Sequence, residues 1–132
     1  MNNTNDNQDD IQSLIRQYAA DNELQCIDAF KISETLNVQP SEVGTCANQM
    51  KVRLIHCQLG LFGYYPTKKI IKPVNPINES IKQAIIDQLI DNKITCEKIF
   101  SIAHQFDLPK LTVSGTCEAL EIKIKPCQLG AF

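Results

Sequence analysis

Apolar residues along the chain switch between a helical and a strand period, and they do so twice. Phe30, Ser33 and Leu36 or Val38 lie at helical spacing and predict a helix over about 27–37. Phe100, Ala103 and Phe106 or Leu108 predict another over about 97–107. A short turn at Pro40 or Pro109 follows each, and proline is favoured at the first helical position, so a third helix starts there. Its apolar face is Val43, Ala47 and Met50 in one case, and Val113, Cys117 and Leu120 in the other. Alternation by two takes over in 51–57 and 121–127, with Val52/Leu54 and Ile122/Ile124 on one face of a strand. Upstream, Asp10 and Asn78 are candidate N-caps for a first helix over about 11–22 and 79–92. Asp9 and Glu79 suit the positive end of those helices, and Asn22 and Asn92 suit a left-handed turn after them. Leu24–Cys26 and Ile94–Cys96 have room for one very short strand each.

This doubled pattern is matched by the residues themselves. A shift of 70 lays 11–62 over 81–132 without a gap, and 13 of 52 positions are identical. They include Ile11/Ile81, Ile15/Ile85, Cys26/Cys96, Phe30/Phe100 and Val43/Val113. Both stretches close on Cys-Gln-Leu-Gly-x-Phe, at 57–62 and 127–132. The expected organisation is a disordered tail over 1–10, a first repeat over 11–62, a connector over 63–80 and a second repeat over 81–132. Pro66, Pro73 and Pro76 favour an extended connector, which Lys68, Lys69 and Lys72 make basic. Each repeat has about 52 residues, near the lower limit for independent stability, so the two are expected to pack as a fused pseudo-dimer.

Helix, short strand, helix, tight turn, helix, strand is an order that resembles the winged helix-turn-helix superfamily over 11–62 and 81–132. The resemblance implies a mainly α fold with short β-strands, arranged as two tandem winged-helix-like repeats, with a first wing built from 58–70. It also implies that the third helix enters the major groove of DNA. In the first repeat the groove-facing candidates are Ser41, Thr45, Cys46, Asn48 and Gln49, and Asn48 or Gln49 can pair with adenine. Lys51, Arg53, Lys68 and Lys69 supply phosphate contacts. In the second repeat the candidates are Lys110, Thr112, Ser114 and Thr116, followed by Lys123 and Lys125, while Glu118 and Glu121 would repel phosphates.

Composition narrows the function further. The 132 residues are 43% hydrophobic and 21% charged, which is ordinary for a globular protein. A net charge of −2 gives no overall attraction to nucleic acid or to an anionic membrane. The first ten residues have neither the basic nor the apolar segment of a signal peptide, and no apolar run approaches a membrane span, so a cytoplasmic protein with no membrane partner is expected. Six cysteines are then expected as thiols.

Those cysteines lack a C-x-x-C motif, and their successive intervals of 20, 11, 39, 21 and 10 residues match no zinc-ribbon or ferredoxin spacing. Gly-Thr-Cys occurs at 44–46 and 115–117, offset by 71, so Cys46 is expected on the outer face of the third helix and Cys117 on its core face. Cys26 and Cys96 read as small buried thiols, each placed four residues before a phenylalanine. Cys57 and Cys127, at equivalent strand ends, are the weak candidates for a metal or redox pair, whereas His56 faces away from Cys57 and has Pro126 as its counterpart. No phosphate loop, serine elbow or paired-carboxylate motif is present, so neither an enzyme nor a cofactor is expected. The leading expectation is a transcriptional regulator that binds double-stranded DNA through its third helices. The competing one is a protein-interaction adaptor on the same modules, and the third is a thiol or metal sensor.

Overall fold

The computed structural model describes residues 4–64 and 69–131. It is mainly helical, with six helices and short strands among the described residues. In the first half these are α1 (Thr4–Tyr18), β1 (Glu23–Gln25), α2 (Cys26–Leu36), α3 (Pro40–Gln49) and β2 (Arg53–Ile55). The second half holds α4 (Glu79–Asp87), β3 (Lys93–Ile94), α5 (Cys96–Phe106), α6 (Lys110–Ala119) and β4 (Lys123–Ile124).

Local chemistry sets most boundaries. The Asn78 side chain caps α4 by accepting from Ser80 N at 2.8 Å and Ile81 N at 3.2 Å. Asp10 does not play this part, because α1 begins at Thr4 and carries Asp10 inside it. Much of the stretch expected as a disordered tail is therefore helical. Asn22 and Asn92 take left-handed backbone, at φ 62° and 60°, as does the aspartate before each. Helix α2 ends at Asn37 and α5 at Asp107, also left-handed, which makes the following turns tight. In α3 the Glu42 carboxylate accepts from Gln39 N at 2.8 Å, closing the first turn behind Pro40.

The strands differ from the expected wing. β2 pairs directly with β1, in parallel, with Leu24 opposite Leu54; β4 pairs in parallel with β3, with Ile94 opposite Ile124. Among the described residues, no part of 58–70 is strand, so no hairpin returns along β2. The physical reason is that His56, at φ 51°, turns the chain out of β2 and the residues beyond it are held elsewhere.

Two compact units result, and they do not coincide with the two halves. The first runs to Cys57 and also contains Leu129–Ala131; the second contains Gln58–Gln128. The first core gathers Ile11, Ile15, Leu24, Ile32, Val43 and Leu129. The second gathers Leu59, Ile85, Ile94, Ile99, Ile102 and Val113.

Candidate interaction surface on the third helices

Helix α3 exposes Ser41, Thr45, Asn48 and Gln49 as one stripe, since positions three and four apart share a helical face. Val43, Gly44, Cys46 and Ala47 are buried. Burial of Cys46, only 4% exposed, corrects its expected place on the outer face. Its sulfur turns along the helix to lie 4.0 Å from Met50 Sδ, and Gln8 and Ile11 of α1 line, together with Ser41, Thr45, Cys46 and Gln49, a groove of about 170 Å³. Burial raises the Cys46 thiol pKa above its ordinary value, with Arg16 pulling weakly the other way.

Gly44 sits where chain backbone comes closest. A Cβ there would overlap the carbonyl oxygen of Leu129, so only glycine lets that segment lie against α3. The position 70 residues on is Ser114, whose hydroxyl donates to the Leu59 carbonyl at 2.9 Å inside the second unit. Leu59 and Leu129 are the equivalent leucines of the two Cys-Gln-Leu-Gly segments. Each third helix thus seats a Cys-Gln-Leu-Gly segment from the other half of the sequence.

Helix α6 is covered a second time. The connector runs across Gly115, where Val74 N donates to Gly115 O at 3.0 Å and a Cβ would come within 2.7 Å of Lys72 O. Ser114, Gly115 and Thr116 are all buried, and the Thr116 hydroxyl is spent on Thr112 O at 2.9 Å. Ser114 and Thr116 are consequently not available to base edges, contrary to expectation. Thr112 is half-buried. Lys110 is also half-buried, and its ammonium lies 4.8 Å from the centre of the Phe100 ring.

The remaining basic candidates are divided between the two units. Lys51 and Arg53 are exposed in the first unit; Lys123 and Lys125 are exposed in the second. Lys69 lies 3.7 Å from the Glu118 carboxylate, so a supposed phosphate contact is paired with a supposed phosphate repeller. Lys68 falls outside the described residues.

Cys57 and Cys127 are both buried, but they belong to different units. The close neighbour of Cys127 is Cys96, the first residue of α5. Hydrogen bonding to the Cys127 thiol, and then burial, push the Cys96 pKa up, while bonds from Gln128 oppose this; its side chain lies 3.5 Å from the Cys96 sulfur. This pairing was missed in the sequence, although a signal existed: Cys26 to Cys57 and Cys96 to Cys127 are both 31 residues apart. Among the described residues, no three His, Cys, Asp or Glu side chains converge as a metal site, and no helix is long and apolar enough to cross a membrane. Compared with known protein families, curated sequences and solved structures, the chain matches none.

Proposed function

We propose that the chain is a non-catalytic protein-interaction module, built from a duplicated winged-helix-like unit whose third helix seats peptide backbone instead of DNA. The observation that carries this reading is the burial of Ser114, Gly115 and Thr116 under Leu59 and the Lys72–Val74 segment. A helix that reads a major groove needs that face free. The open stripe Ser41, Thr45, Asn48 and Gln49 is then the surface for a partner segment, with hydroxyls and amides that can satisfy a partner's backbone. Exposed Asp9, Asp10 and Glu42 on α1 and α3 disfavour phosphate and suit a neutral or basic segment. Six thiols suit a reducing cytoplasm.

DNA binding by α3 alone is the second reading, favoured by exposed Lys51 and Arg53 directly after the open stripe. One pair of experiments separates them. Display of random peptides against the chain should enrich a consensus whose binding is lost in Thr45→Arg, and a mixed-sequence duplex should show no saturable binding at 50 mM salt. Saturable duplex binding that collapses between 50 and 200 mM salt would overturn the interaction reading, because that slope reports phosphate contacts.

A further inference from the structure

We propose that the seat on α3 at Gly44 is an acceptor site for the Cys-Gln-Leu-Gly segment of a second copy of this chain. The inference rests on the reading of the third helix as a peptide-seating element, and concerns its buried face at Gly44, not the open stripe of Ser41, Thr45, Asn48 and Gln49.

Three observations carry it. First, the seat is shaped for backbone, since the Leu129 carbonyl occupies the space a Cβ at position 44 would need. Second, the segment it holds is short and has one apolar anchor: Leu129 is buried, whereas Gly130 and Ala131 are exposed. Third, the anchor is joined through Gln128 to the other unit, so the seat is already filled by a segment whose covalent root lies outside its own unit. Leu59 is likewise seated on Ser114 within the second unit, although the chain just before it, to Cys57, belongs to the first. A segment seated across such a boundary can be supplied by another molecule with the same contacts, which is the logic of domain swapping. Within one chain the tether keeps the local concentration of the segment high, so the intramolecular form dominates until the tail is removed or displaced.

The test uses the chain shortened after Gln128 and a fluorescent peptide with the sequence of 125–132. Saturable one-to-one binding to the shortened chain is expected, at least tenfold weaker with the full chain, whose seat is filled. Gly44→Ala in the shortened chain should abolish binding, even though alanine favours a helix over glycine. Should the shortened chain be unfolded by itself, recovery of its helical circular dichroism on adding the peptide is the same result. A full-length Gly44→Ala chain, with a displaced tail, should also form a one-to-one heterodimer with the shortened chain in sedimentation velocity. Neither peptide binding nor recovery, or two monomers in the mixture, overturns the proposal. A second peptide, with the sequence of 55–62, keeps the duplication separate. If only the 125–132 peptide binds, the acceptor site stands and the equivalence of the two copies is contradicted. The duplex titration decides the interaction reading independently of both.

Discussion

At the scale of single residues, the cysteines show how burial rather than spacing decides chemistry. Cys117 is fully buried, and desolvation of its charged form pushes its pKa from 9.0 to about 12. Cys46 and Cys96 are shifted in the same direction. A folded state that holds a proton more tightly than the unfolded chain loses stability as that proton leaves. The contribution is therefore complete below pH 9 and declines between pH 9 and about 12. Urea unfolding should show a lower midpoint at pH 10 than at pH 8, and Cys117→Ala should reduce the difference; an unchanged midpoint in the parent chain would contradict this. The same burial keeps these thiols protonated at neutral pH, where the thiolate is the reactive form. Sequence spacing favoured Cys57 with Cys127 because both precede Gln-Leu-Gly. The parallel β3–β4 pairing instead brings the start of α5 to the end of β4, with Cys96 N donating to Pro126 O at 3.2 Å, and so sets Cys127 beside Cys96.

At the scale of elements, helices were legible and contacts between distant segments were not. The tight turns before α3 and α6, the Asn78 cap and the left-handed Asn22 and Asn92 follow from local residue chemistry, which needs no tertiary context. The burial pattern of 31–40 recurs residue for residue over 101–110, as the spacing of apolar residues implied. The covered face of α6 left a fainter trace. Ser114, Gly115 and Thr116 are small or polar, which reads as a solvated face until a backbone segment is found lying on it. The glycines at 44 and 115 were the available clue, because a helix-interior glycine costs about 1 kcal/mol relative to alanine and needs a reason. Close approach of Leu129 in one case and Lys72 in the other is that reason. The leucine seats have a crossed consequence. Leu59→Ala and Leu129→Ala should each cost about 2–5 kcal/mol, as for other buried leucines. Hydrogen exchange should place the loss of protection for Leu59→Ala in α5 and α6, and for Leu129→Ala in α2 and α3. Loss in the sequence copy that carries the mutation would contradict the seating.

At the scale of the whole molecule, length and charge take on a different meaning. A stretch of about 52 residues leaves a limited core, and each unit gains a buried leucine from the other half of the sequence. Lys69 and Glu118, expected to act in opposite senses on phosphate, are instead partners of one another. The crossed seating of the two Cys-Gln-Leu-Gly segments can be read from proton–proton Overhauser contacts in the isotope-labelled chain. Contacts from Leu129 to Gly44 and from Leu59 to Ser114 are expected, whereas contacts from Leu59 to Gly44 and from Leu129 to Ser114 would show that each copy keeps its own segment and would contradict the account.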